Sequence, residues 1–284
     1  MLQRAREEAG MLSKSIPLGL TVLTCLMFLA CSSLPWSQQE PGNEVNLAFR
    51  IENNLLFLQT TTVNRQAGRI FFASADPHSV VAPEYAARIQ SATYELHLNE
   101  RETIPFSPLI LDLHGVADAL IGSDVWGSHA VTIDYRSGLL TYQKDGIHPG
   151  YMTIYHFEAA PTVVARIDGR DTQVVVDTAL PDTIVLPRGT VAAGRRTAHV
   201  VIAGTDFGNV DIALGDVSSA RAGNRLLSKF LVSIDYGRRE VGLWRDPRIG
   251  MQGRIHDIGG TPCSVVPSRL PWRSFSFPPS RPLR

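Results

Sequence analysis

An acid at the end of an apolar strand is the feature of this chain best suited to do chemistry. Val174-Val175-Val176 is a β-branched run that delivers Asp177 and Thr178 into a short turn. A second apolar run, Ile184 to Leu186, follows at once and ends at Pro187. Burying a carboxylate beside a strand costs several kcal/mol unless it is paired or hydrogen-bonded, so Asp177 points to a site that wants a base. A plain turn Asp between two strands is the alternative. A second copy of the stretch weighs against it: Ile70 to Glu84 lies on Val174 onward without a gap, at a constant offset of 104 residues. Ala73 falls opposite Asp177, Ser74 opposite Thr178, Ala75 opposite Ala179, Pro77 opposite Pro181, Ser79 opposite Thr183 and Pro83 opposite Pro187. The motif is present twice, once with the acid and once without.

These residues must be positioned by strands, and the chain reads as all-β. Alternating apolar residues mark strands at Val45 to Ile51 and Leu55 to Val63, with Asn53-Asn54 as the turn between them. A hairpin spans Asn64 to Gly68, and Arg69 to Ser74 is the strand that leads to the acid-free loop. Pro83-Glu84 opens a short helix, Tyr85 to Ile89, with proline at its favoured first position. Tyr94 to Leu98 and Leu109 to Leu113 read as further strands. Ala119-Leu120-Ile121-Gly122 then leads to Val131-Thr132-Ile133-Asp134-Tyr135, a turn at Ser137-Gly138, and Leu139 to Tyr142. This block also has a twin: Gly223 precedes Val232-Ser233-Ile234-Asp235-Tyr236, and strand Glu240 to Trp244 closes it. Ile167-Asp168-Gly169 likewise falls opposite Val63-Asn64-Arg65. Repeats of about 100 residues are far longer than solenoid periods and imply a duplicated β domain.

The composition bounds the partners. With 284 residues, 44% apolar and 19% charged, the chain is large enough for one two-lobed globular domain. Its 27 basic and 27 acidic residues balance, so nucleic acid is not an expected partner. Basic Arg4, Arg6 and Lys14 precede an uncharged apolar run from Ile16 to Ala30, interrupted by Pro17 and Gly19. That run is shorter than the roughly 20 residues that span a bilayer and fits a signal-peptide core, with Met1 or Met11 as the start. Phe28-Leu29-Ala30-Cys31-Ser32 resembles a bacterial lipobox. That resemblance implies cleavage before Cys31, lipid on Cys31, and, with Ser32 following, an outer-membrane lipoprotein facing the periplasm; a plain secretory signal or signal anchor is the alternative. Only Cys263 would remain unmodified in the mature chain, so no disulfide is available within a monomer. Attachment would rest on acyl chains, since the mature part is close to neutral.

The expected organisation is a signal peptide at 1–30, a flexible tether at 31–44, lobes at 45–150 and 151–250, and a disordered tail at 251–284 that is rich in Pro, Ser and Arg. The eight histidines show no H-E-x-x-H spacing, so neither a metal nor another cofactor is expected. His78, opposite Asp182, reads as a loop residue. Asp134 and Asp235 read as acids that hydrogen-bond their hairpin turns.

A strand ending in Asp-Thr, then an apolar-apolar-Gly element leading into a V-x-I-D-Y hairpin, resembles the aspartic peptidases, in particular the retropepsin-like group fused as two lobes as in pepsins. The likeness covers about 200 residues, Val45 to Trp244, with four elements recurring in order. It implies duplicated acid-protease β-barrel lobes with short helices, and two carboxylates that share one proton, one as base on a water and one as acid to the substrate carbonyl. Asp177 matches the second-lobe acid, and Ala73 stands where the first should be. Ser74 and Thr178 match the family's hydroxyls, which bond across to the other lobe. Ala75 and Ala179 replace its glycines and are disfavoured if those positions need positive φ. Asp76, three residues past Ala73, is the acid that could substitute for the missing one, but beyond the turn it is expected to project from the loop and not into the shared cleft.

Three readings follow from the residues. The first is peptide hydrolysis using Asp177 with an unidentified partner, and the second is a non-catalytic lipoprotein whose cleft binds an extended peptide or partner strand. The third is a purely structural envelope protein. Hydrolysis is expected to be lost or much reduced, because one carboxylate cannot supply both base and acid. The chain is expected to act as a monomer.

Overall fold

The computed structural model describes residues 44–246, apart from 128, 145, 147–149, 192, 193 and 195. The expected signal peptide, Cys31, the tether up to residue 43 and the tail lie outside the described residues. The described residues all fall in one compact unit.

The chain enters through β1 (Glu44–Glu52), whose core-facing residues Val45, Leu47 and Phe49 alternate with more exposed ones. Asn53 and Asn54, both at positive φ, turn it into β2 (Leu55–Leu58). Asparagine tolerates that backbone better than a bulkier residue, which is why an Asn pair serves as a tight hairpin turn. There follow β3 (Thr62–Val63), β4 (Ile70–Phe72), β5 (Val80–Val81), α1 (Pro83–Ile89), β6 (Tyr94–His97), β7 (Thr103–Phe106), β8 (Leu109–Ile110) and β9 (Ala119–Ile121). A single-turn α2 (Ser123–Trp126) leads into the hairpin β10 (Ala130–Asp134) and β11 (Leu139–Gln143). The later part comprises β12 (Thr153–His156), β13 (Thr162–Ile167), β14 (Arg170–Val176), β15 (Ile184–Pro187), β16 (Thr197–Ile202) and β17 (Thr205–Gly215). It ends with β18 (Ala220–Ala222), α3 (Asn224–Leu227), β19 (Leu231–Asp235) and β20 (Glu240–Trp244).

The fold is predominantly β. Strands β13-β14-β18-β15-β17-β16 close into a barrel, while β12-β20-β19-β10-β11-β1-β2-β4-β9-β5-β8 form a continuous eleven-stranded sheet and β3-β6-β7 a third, small one. Segments β12, β19 and β20 come from the later part of the sequence yet complete the sheet begun by the earlier part. The join is β10 on β19, antiparallel, with Thr132 opposite Ser233 and their hydroxyls 3.1 Å apart.

Strand pairing repeats across the chain. β4 lies parallel to β9, with Ile70 opposite Ala119 and Phe72 opposite Ile121. In the same way β14 lies parallel to β18, with Val174 opposite Ala220 and Val176 opposite Ala222. Both β4 and the end of β14 are buried on both faces, which accounts for continuous apolar runs where a half-exposed strand would alternate. Phe72 meets Trp126 edge on, with centroids 5.4 Å apart, and Trp126 meets Tyr142 at a tilt, 5.9 Å apart, so that α2 and β11 are packed against β4.

Several element boundaries differ from the sequence expectation. Leu55 to Val63 is two strands, because β2 and β3 belong to different sheets. Leu109 to Leu113 is a strand only over Leu109–Ile110, both exposed at the sheet's edge. Pro83 opens α1 as expected, whereas its counterpart Pro187 ends β15 and its carbonyl accepts the Thr190 N–H in a turn.

Candidate functional site

The loops after β4 and β14 meet through hydrogen bonds that mirror one another. The Ser74 N–H donates to Thr178 Oγ1 at 2.9 Å, and the Thr178 N–H donates to Ser74 Oγ at 3.0 Å. Each hydroxyl passes its own proton on: Ser74 to the Val176 carbonyl at 2.7 Å, Thr178 to the Phe72 carbonyl at 2.8 Å. Both side chains are wholly buried, so removing either hydroxyl would leave one N–H without its acceptor and one carbonyl without this donor. Ala73 and Asp177 are thereby held at the same level on either side of a common seam.

The hairpin tyrosines extend the clamp. Tyr236 donates to the Ser74 carbonyl at 3.0 Å, and Tyr135 donates to Asn224 Oδ1 at 2.7 Å. Asn224 Nδ2 in turn donates to the Thr178 carbonyl at 2.6 Å and to the Asn54 carbonyl at 2.7 Å. Burial pushes both phenols far above their ordinary range, so they act as fixed neutral donors. Asp134 and Asp235 accept bonds from Arg136 N–H and Arg238 N–H in their own hairpins and do not enter the site.

Glycine is needed where these loops press on the next element. A Cβ on Gly122 would stand 2.7 Å from the Asp76 carbonyl, and one on Gly223 would collide with the Leu180 and Asp182 carbonyls. The close approach lets Ser123 N–H donate to Asp76 O at 2.7 Å and Asn224 N–H to Leu180 O at 2.9 Å. Ser79 ties the first loop down further, bonding Asp124 through both its N–H (3.0 Å) and its hydroxyl (2.7 Å).

Asp177 is buried, and both its oxygens are engaged. Oδ1 accepts the Ala179 N–H at 3.0 Å, and Oδ2 receives Arg221 Nη1 at 2.8 Å. Ala75 and Ala179, in place of glycines, are not among the described residues at positive φ, so their methyl groups carry no backbone penalty. Arg221 lies on β18, and its position puts Val175 beside it on one strand and Val185 on the other. Its Nε is buried with no hydrogen-bond partner among the described residues. A buried donor left in that state costs about 1–3 kcal/mol unless a ligand atom accepts from it.

The expectation for Asp76 is corrected. Asp76 is half-buried, and its carboxyl lies close enough to Asp177, Arg221 and Asp124 to feel their charges. Desolvation, then repulsion by Asp177, push it from 3.8 up to about 7, against the opposing pull of Arg221. The Asp76 carbonyl is held on α2 by the Ser123 N–H at 2.7 Å.

Sequence reasoning missed Arg221 and set Asp76 aside, yet both left a signal. Aligned by the repeat, Arg221 falls opposite Leu120 and Asp76 opposite Leu180. In each case a charge in one copy replaces a leucine in the other, at a position the second copy shows to be inward-facing. His78 is exposed on the loop after Asp76. Among the described residues no group of three or more His, Cys, Asp or Glu is gathered as for a metal ion. A separate cavity of about 720 Å3, lined by Lys229, Phe230, Trp244 and Arg245 among others, contains none of the loop residues. In comparisons with known proteins, no family model matches the sequence and no curated protein matches it.

Proposed function

We propose that this chain is a relative of the retropepsin-like aspartic peptidases, built of two duplicated lobes, whose inter-lobe cleft takes an extended peptide or protein segment. Hydrolysis by the family's paired-carboxylate route is impaired, and the chain works as a monomeric lipoprotein of the bacterial envelope, facing the periplasm and anchored through Cys31. The observation that carries the reading is the reciprocal Ser74–Thr178 bonding, which brings Asp177 to a seam shared with Ala73. Impairment is supported by two features of Asp177: Ala73 offers no carboxylate across from it, and the Arg221 guanidinium occupies the oxygen through which a base would take a proton from water. The same pair supports the second reading, a non-catalytic binding cleft, in which Arg221 and Asp177 hold the peptide backbone as donor and acceptor.

Calorimetric titration of the full chain in detergent with a statine-containing hexapeptide tests the proposal. Binding is expected, with at least a tenfold loss in Asp177→Asn, which keeps the shape of the side chain and removes its charge. No binding to the wild type, or equal affinity in the variant, would sink it.

A further inference from the structure

We propose that Asp76 is the second acid of this site, taking over from three residues further along the loop the role for which Ala73 has no side chain. The inference rests on the proposed peptide cleft and goes beyond it by naming the group that would protonate the substrate.

Three observations converge on Asp76. Its backbone is fixed: the carbonyl accepts the Ser123 N–H at 2.7 Å, and Gly122 lies against it with no room for a Cβ. Its loop is fixed at both ends, by Ser74 on Thr178 and by Ser79 on Asp124. Its carboxyl is drawn into the region of the Asp177–Arg221 pair, where the charged groups acting on it are Asp177 and Asp124, both repelling a second negative charge, and Arg221, attracting it. The counterpart position in the other loop is Leu180, which is buried. Asp76 thus stands half-buried at a place that the repeat otherwise fills with a core leucine.

The environment divides the roles between the two acids. Asp177 is held by two donors, Ala179 N–H and Arg221, which are suited to a carboxylate. Asp76 resists ionisation up to about pH 7 and is therefore the proton donor. In the hydrolytic step the water oxygen bonds to the peptide carbonyl carbon while one water proton passes to the Asp177 carboxylate. Asp76 gives its proton to the carbonyl oxygen, leaving a neutral gem-diol. As the C–N bond breaks, the nitrogen takes the proton held by Asp177 and one diol hydroxyl returns its proton to Asp76, so both acids end as they began. Arg221 must yield its hold on Asp177 for the first transfer, and the route is accordingly slow.

Turnover of fluorescein-labelled casein by the full chain, followed from pH 4 to pH 8 alongside calorimetric binding of the statine hexapeptide, tests this. Slow turnover is expected in the wild type, falling as pH rises through about 7. Asp76→Asn should lower it about a hundredfold or more while the pseudo-peptide still binds. Carbon-13 NMR of the Asp76 carboxyl should show its titration midpoint moving down in Asp177→Asn. Unchanged turnover in Asp76→Asn, no turnover by the wild type at any pH, or a midpoint indifferent to Asp177 would each overturn the role of Asp76. Failure of the wild type to bind the pseudo-peptide would overturn the cleft itself.

Discussion

A single titrating side chain has consequences for stability as well as for chemistry. The Asp76 carboxyl ionises at about 7 in the folded chain against an ordinary 3.8, so between those values the folded state holds a proton that the unfolded chain releases. Stability therefore falls as pH rises from about 4 to about 7 and levels off above. Asp76→Asn removes this dependence: the variant should match the wild type near pH 4 and exceed it by a few kcal/mol at pH 8, as urea unfolding at the two pH values would show. A wild type that gains stability over that interval relative to the variant would contradict the placement of Asp76. Legibility at this scale was uneven. Asp177, Thr178, Ala73 and Ser74 could be read directly because the repeat sets them opposite one another. Arg221 and Asp76 could not, because their importance lies in where the chain turns after Ala75 and in which strand neighbours β14, and neither is written in local spacing.

At the scale of elements, the glycine that ends each apolar approach strand is a packing requirement. Gly223 has an ordinary extended backbone, so its constraint is the lack of space against the Leu180 and Asp182 carbonyls. Gly223→Ala must push the Asp177 loop away from α3, costing about 1–3 kcal/mol or more in thermal unfolding and loosening the Asn224 bond to Thr178. A variant as stable as the wild type would mean the two elements do not press together. Sequence periodicity found the hairpins well: β1, β10 and β11 alternate because one face is covered and the other is less so. It failed for β2 and β3, since a change of sheet leaves no mark on an apolar run, and for β8, whose two exposed residues belong to an edge. Of the closed barrel, β14 and β15 were legible as the apolar runs that flank Asp177, whereas β13, β16 and β17 were not singled out, although β13–β14 and β16–β17 are hairpins between neighbours in sequence.

At the scale of the whole molecule, the two sets of loops are brought together by the long sheet that both halves of the chain build. β10 and β19 pair across it with Thr132 opposite Ser233, and the tyrosines that follow them, Tyr135 and Tyr236, reach up to the loop network. One interface thus serves both the folding of the long sheet and the meeting of the two loops. The structure of the full chain bound to the statine hexapeptide measures this most directly. The account predicts the statine hydroxyl within about 3 Å of the Asp177 carboxylate, between the Ser74 and Thr178 loops, with the peptide running along the groove above them. A pseudo-peptide lodged on another surface, with Asp177 still closed off by Arg221 and no groove over Ala73, would contradict it.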